Sequence, residues 1–164
     1  MTESTSAIVS GIRELGAATD AYGTTLNTQV SPAAADLIGR VLADAVRDLA
    51  PDHIAVWESS DEAVLAHIVA LATGATVLRV TDESGITSVT PSITPGDRVV
   101  PLATAWEPRR LQAMLGLLRG AAAEVTAVAA VLHTPTLDAA GSVPVGVPVV
   151  SLLSEAEAAS AGLR

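Results

Sequence analysis

Apolar positions recur along this chain in two rhythms, one helical and one of strand length. From Thr5 to Ala18 the residues Ile8, Ile12, Leu15 and Ala18 fall at helical spacing. Thr19 to Gln29 is polar and turn-rich, which predicts a loop or a short edge strand. Ser31-Pro32 then offers an N-cap followed by Pro at the first helical position, and Leu37, Val41, Ala45 and Leu49 supply the buried stripe of a second helix. Pro51 ends it, and His53 to Trp57 is an apolar, β-branched run of strand length. Glu58 to Asp61 reads as a turn, after which Val64, Leu65, Ile68, Val69 and Ala72 mark a third helix ending at Gly74. Thr76 to Val80 is the next strand, completing a strand, crossover helix, strand unit of the right-handed kind.

The second half repeats the pattern. Thr81 to Thr94 is rich in Ser, Thr and Gly, with alternation around Ile86 and Val89 that suggests a hairpin arm or a mobile loop. Gly96-Asp97 turns into a strand over Arg98 to Ala103, followed by a helix over Pro108 to Ala122 and a strand over Val125 to Leu132. Val147 to Leu153 reads as an edge strand, with a short helical tail after Ser154. Neither an internal repeat nor a linker interrupts the order, so residues 1–164 are expected to form one domain: an N-terminal helix and loop over 1–30, a core over 31–153 and a tail over 154–164. The expected class is α/β, an open, mostly parallel sheet flanked by helices, with a small hood or flexible loop.

Composition narrows the function classes. The chain is 49% hydrophobic yet has no Phe and one Tyr, so Val, Leu, Ile and Ala must fill the core, as suits a parallel sheet covered on both faces. It contains no Lys, and its nine Arg face eighteen carboxylates for a net charge of −9, which disfavours a nucleic-acid partner. The lack of Cys excludes disulfides, thiolate metal sites and cysteine nucleophiles. No apolar run reaches the roughly 18 residues of a membrane span, and the start of the chain lacks the layout of a signal peptide. The expectation is a cytoplasmic protein without a membrane partner.

The segments SPAAADLIGRVLADAV, PDHIAVWESSDEAVLAHIVALATGA, PGDRV, LQAMLGLLRGAAAEVTAVAAVL and GVPVVSLL, taken in order, resemble the type I phosphoribosyltransferases, with the orotate phosphoribosyltransferase branch the nearest. The likeness runs from about Tyr22 to Leu153. It implies a parallel sheet with a flexible hood, pairing as a homodimer or with a related subunit, and transfer from a phosphoribosyl diphosphate donor to a nitrogenous base with Mg²⁺. In that family two adjacent carboxylates after an apolar strand hold the ribose hydroxyls, and a Thr/Gly-rich loop wraps the 5′-phosphate at a helix N-terminus.

This sequence departs from the pattern at each ligand element. Aligned on LQAMLGLLRG, the acidic pair falls on Leu102 and Ala103 and the phosphate loop on Glu107 to Arg110, one residue short. The hood loop, which in the family carries Lys and Arg, is TDESGIT from Thr81 to Thr87, with Asp82 and Glu83. The turn after the first strand keeps Glu58 but reads Ser59-Ser60-Asp61. One lost preorganised contact costs about 10²–10³ in turnover, so the expectation is a phosphoribosyltransferase-like protein that has lost catalysis, with no cofactor, serving as a ligand-binding, regulatory or subunit-pairing module. The alternative is an active but divergent orotate phosphoribosyltransferase-like enzyme, which would need Mg²⁺.

The candidate rim of the ancestral site is Trp57, Glu58, Ser59, Ser60, Thr104, Trp106, Arg109 and Arg110. Both Trp follow parallel strands, where open α/β sheets bind ligands, and either stack a ligand or partner there or cap the core. Arg109 and Arg110 open a helix at Pro108, where they either hold an anionic small molecule or are a solvated pair balanced by Glu107 or another acid. Glu58, Asp61, Glu62, Asp82 and Glu83 could line one mouth around a divalent cation or simply form a solvated acidic surface. His53, His67 and His133 lack metal-type spacing, and no G-x-S-x-G elbow occurs.

Overall fold

The computed structural model describes residues 3–160, so the last four residues of the expected tail lie outside it. In chain order the elements are α1 (Glu3–Leu15), β1 (Ala17–Asp20), β2 (Gly23–Leu26), α2 (Pro32–Val46), a 3-10 turn over Arg47–Leu49, β3 (His53–Trp57), α3 (Ser60–Thr73), β4 (Thr76–Glu83), β5 (Ile86–Thr90), β6 (Arg98–Ala103), α4 (Pro108–Gly120), β7 (Glu124–Val125), β8 (Val128–Leu132), α5 (Pro135–Asp138), β9 (Val149–Leu153) and α6 (Glu155–Ser160). The expected α/β class is what is found. The main sheet runs β5-β4-β3-β6-β8-β9, parallel except for the β4–β5 hairpin at one edge.

Residue alternation along the strands builds two separate cores. Ile54, Val56, Val100, Leu102, Ala129 and Val131 face the layer of α1, α2 and α3. Their neighbours Ala55, Trp57, Val99, Ala103, Val128 and Ala130 face α4. Both faces are therefore dry, which explains why the strands read as continuous apolar runs. Because β3 connects through α3 to β4 on one side, while β6 connects through α4 to β8 on the other, the chain reverses its winding between β3 and β6. Ligand crevices in open sheets form outside the carboxyl ends of the strands at such a reversal.

Local chemistry explains the element ends. Ser31 caps α2 by accepting from the Ala34 N–H at 3.2 Å, with Pro32 at the first helical position. Gly74 closes α3 in the left-handed region at φ 79°. The Thr81 to Thr94 region is a hairpin arm and not a loose loop, because Ser84 and Gly85 take φ 54° and 83°, the paired left-handed turn that matches strand twist.

Five expectations need correction. Helix α1 ends at Leu15, so Ala18 falls in β1 and not on the helical stripe. In α2 the buried face carries Ile38, Leu42 and Val46, one position on from the expected Leu37, Val41, Ala45 and Leu49, of which Leu37 and Ala45 are exposed. The segment Thr19 to Gln29 forms most of a second, two-stranded sheet, β1–β2, joined at a turn where Asp20 accepts from the Tyr22 N–H at 2.7 Å. The strand expected over Val125 to Leu132 is broken: from Val99↔Val125 to Leu102↔Ala129, β6 advances three residues while its neighbour advances four. The extra residue is a bulge in the ladder alongside Pro101, which has no N–H to donate. The stripe of α3 is also rotated, so that Glu62, Leu65, Ala66, Val69 and Ala70 are buried while Val64 and Leu71 are exposed.

Helices α2 and α3 approach closely at Gly39, where a Cβ would fall 2.6 Å from Ile68 Cγ2 and 2.7 Å from its Cβ. The second atom is next to the backbone, so a rotamer change does not relieve the clash. Gly39→Ala is therefore expected to cost up to about 2 kcal/mol, an overpacking penalty of about 1–3 kcal/mol less about 1 kcal/mol of helix propensity. Gly116 in α4 is exposed with open space around it, and Gly116→Ala should stabilise by about 1 kcal/mol. Urea unfolding of both variants checks this: a gain in stability at both positions would show that the α2–α3 contact yields.

Candidate functional site

The β1–β2 hairpin lies across the carboxyl ends of the main sheet. Leu26 is buried in the core on the α1–α3 side, while Tyr22 packs against the core on the α4 side, so the hairpin straddles the sheet edge. Two latches hold it. At the start of α3, the Asp61 carboxylate accepts from Thr25 Oγ1 at 3.2 Å, the Thr28 N–H at 2.9 Å and Thr28 Oγ1 at 2.6 Å. At the start of α4, the Arg110 guanidinium donates to the Ala21 carbonyl at 3.1 Å and to Asp82 Oδ2 at 3.2 Å.

Beneath the hairpin, at the winding reversal, lies a crevice whose walls include Tyr22, Thr25, Trp57, Glu62, Trp106 and Arg110. Tyr22 and Trp57 stack with centroids 5.3 Å apart and planes at 17°. The Arg110 guanidinium carbon sits 5.0 Å from each ring centre, a cation–π contact on both. Trp106 is held by its Nε1 donating to the Ala129 carbonyl at 2.9 Å. These side chains leave about 10 Å³ for solvent, about the room of one water.

Glu62 is the unusual group here. It is 5% exposed, and its Oε1 accepts the Thr104 N–H at 2.9 Å while Oε2 has no hydrogen-bond partner. Burial pushes its pKa up to about 7, an effect only partly offset by the backbone and side chain of Thr104, and Asp20 and Asp61 add to the rise. Ser59-x-x-Glu62 has the spelling of a capping box, yet neither side chain caps α3: Glu62 reaches into the crevice, and Ser59 Oγ is buried without a partner.

The structure separates the eight candidate rim residues. Trp57, Trp106 and Arg110 come together at the crevice, while Thr104 is fully buried behind it and Ser59 is 6% exposed. Glu58, Ser60 and Arg109 are exposed and do not line the crevice. The two arginines thus do not act as a pair, and Arg110 is balanced by Asp82 and not by Glu107. Both tryptophans are core residues, 3% and 2% exposed, that also form its wall. Leu102 and Ala103, where the resemblance puts the acidic pair, are buried in opposite cores.

The five acids of the expected mouth go different ways. Asp61 and Asp82 hold the latches, Glu62 is buried, and Glu58 and Glu83 are exposed. Among the described residues no group of three or more His, Cys, Asp and Glu is placed to hold a metal ion, and no helix is long and apolar enough to cross a membrane. His53 and His133 each bridge a hydroxyl and a carboxylate, with Asp97 and Asp138 as the acids, each 2.9 Å from Nε2, and His67 is exposed. The His53 bond and the Thr94 N–H hold the Asp97 carboxyl below its ordinary value. Tyr22 lines the crevice without having been a candidate, and Glu62 was expected there only as one of the mouth acids. Its burial could have been found from its spacing, since Glu62 falls on the same face as Leu65, Ala66 and Val69.

No protein-family model matches the sequence, and no curated protein matches it. Solved structures do. A phosphoribosyltransferase from Corynebacterium diphtheriae superposes with a TM-score of 0.72 at 18% identity, over 95% of this chain and 98% of that one. Adenine phosphoribosyltransferase from Trypanosoma brucei gives 0.71 at 16% identity, over 96% and 83%. Orotate phosphoribosyltransferase from Mycobacterium tuberculosis, solved with inorganic phosphate, gives 0.68 at 15% identity, over 96% and 91%. Adenine and orotate enzymes match alike, so the likeness singles out no branch. What these structures share with the chain is its architecture: the protein has the fold of the type I phosphoribosyltransferases.

Proposed function

We propose that this chain is a phosphoribosyltransferase-fold protein that does not transfer phosphoribosyl groups and uses its strand-end crevice as a binding module. The observation that carries this reading is the state of the crevice at the winding reversal. Arg110, Tyr22 and Trp57 fill it from within, leaving about 10 Å³. The floor where carboxylates would meet ribose is Leu102 and Ala103.

Charge points the same way. A diphosphate with its Mg²⁺ needs cations and carboxylates arranged around an open space. Here Arg110, the one arginine among the described residues that lines the crevice, is engaged by Asp82, and the buried acid beside it is Glu62. Glu62 would meet an anionic donor with repulsion whenever it is ionised.

Calorimetric titration of the whole chain with phosphoribosyl diphosphate and Mg²⁺ tests the reading. No binding is expected at millimolar donor. Saturable, Mg²⁺-dependent heat would overturn it in favour of a divergent transferase.

A further inference from the structure

All three aromatic side chains of this protein meet at one place. The chain has two Trp, one Tyr and no Phe, and its cores are built from aliphatic residues. Tyr22, Trp57 and Trp106 are all walls of the strand-end crevice. Packing does not require this concentration, since the remaining core closes without aromatic rings. A cluster of rings with one polar counterpart is what a small-molecule site is made of.

The polar counterpart is Glu62, a carboxyl nine-tenths buried with Oε2 unpartnered. Trp57 Nε1 is buried without a partner as well. Among the described residues no cation pairs with Glu62, and Arg110, which lines the same crevice, directs its hydrogen bonds to Asp82 and Ala21. A buried carboxylate without a counter-charge is costly and favours either a proton or a cation. The rings favour the same kind of guest, because the group seated against both Tyr22 and Trp57 is a flat, delocalised guanidinium.

We propose that the crevice binds a planar organic cation of the amidinium or guanidinium class, stacked on Tyr22 and Trp57 and paired with Glu62, and that Arg110 is the resident occupant this ligand displaces. An anion would face Glu62 with Asp61 and Asp82 nearby in the latches. A neutral heterocycle would stack but leave Glu62 unpaired. Release of Arg110 also undoes its bond to Ala21, so ligand binding and loosening of the hairpin are one event. The inference rests on the reading that the crevice is not a donor site.

Benzamidinium and its neutral isostere benzamide are suitable probes, titrated calorimetrically into the whole chain as wild type, Arg110→Ala and Arg110→Gln. Benzamidinium is expected to bind Arg110→Ala about tenfold more tightly than wild type and about tenfold more tightly than benzamide does. Adding Glu62→Gln should remove about tenfold of that affinity. Arg110→Gln, which lacks the cation but keeps a polar chain, guards against misfolding of the alanine variant, with near-UV circular dichroism as the check on each. Failure of benzamidinium to bind either folded variant at millimolar concentration, or equal binding of benzamide, overturns the proposal. The donor titration separates the two readings: donor binding sinks the proposed function, whereas absence of both donor and benzamidinium binding sinks only the cation site.

Discussion

Replacing Asp61 by Ala should destabilise the protein by about 3 kcal/mol, far more than a half-exposed surface acid usually contributes. Its carboxylate accepts three hydrogen bonds, and the donors belong to Thr25 and Thr28, which are 2% and 5% exposed. Hydrogen bonds to a charged acceptor are worth about 1.5–3 kcal/mol each, and buried donors left without a partner cost about 1–3 kcal/mol. The full sum is not reached, because water can follow the lost side chain into a partly exposed site. Asp61 also sits in the first turn of α3, where negative charge is favoured. Asp61→Asn keeps one acceptor and should lie between, at about 1–2 kcal/mol. Urea unfolding measures both, and a loss below about 0.5 kcal/mol for the alanine variant, the ordinary range of a surface change, would show that Asp61 does not hold the hairpin.

Stability should fall as pH rises from about 4.5 to about 7, and Glu62→Gln should flatten that slope. The folded-state pKa of Glu62 is raised from its ordinary 4.5 to about 7 by burial. Between those values the folded protein keeps a proton that the unfolded chain has released. Its contribution is therefore complete below about 4.5 and gone above about 7. At about 1.4 kcal/mol per pKa unit the difference amounts to about 3 kcal/mol. Asp97 and Glu157 have lowered pKa values, the first through His53 and the second through the Ser154 N–H. Their contributions are present above ordinary carboxylate values and disappear at lower pH, outside this window. Urea midpoints taken from pH 5 to 8 in wild type and Glu62→Gln isolate the effect, and equal slopes in the two proteins would rule Glu62 out as its source.

Much of the sheet was legible from residues that act locally. Ser31-Pro32, Gly74 and Pro108 fix helix ends by hydrogen bonding and backbone geometry, and the strands His53 to Trp57 and Arg98 to Ala103 are apolar because both of their faces are buried. The crevice was less legible because its contacts are remote. Tyr22 sits in a polar segment with no periodicity, and its role comes from its remote contacts with Trp57 and Arg110. Arg110 reads as one of a surface pair until Asp82, 28 positions away, is brought against it. Glu62 looks like a helix-capping acid, and what decides its fate is the rotation of α3, which exposes Val64 and buries Glu62. Spacing could have given that rotation, whereas no local signal marks Tyr22.

The same remoteness orders the assembly of the molecule in time. The hairpin leaves the chain early, yet its latches join positions separated by 33 and 36 residues at Asp61 and by 89 residues between Ala21 and Arg110. Closing loops of that length has an entropic cost that only an already formed α3 and α4 can offset. The N-terminal hairpin is thus expected to dock after α3 and α4 have formed. Its loss in Asp61→Ala should appear as faster unfolding with little change in the folding rate.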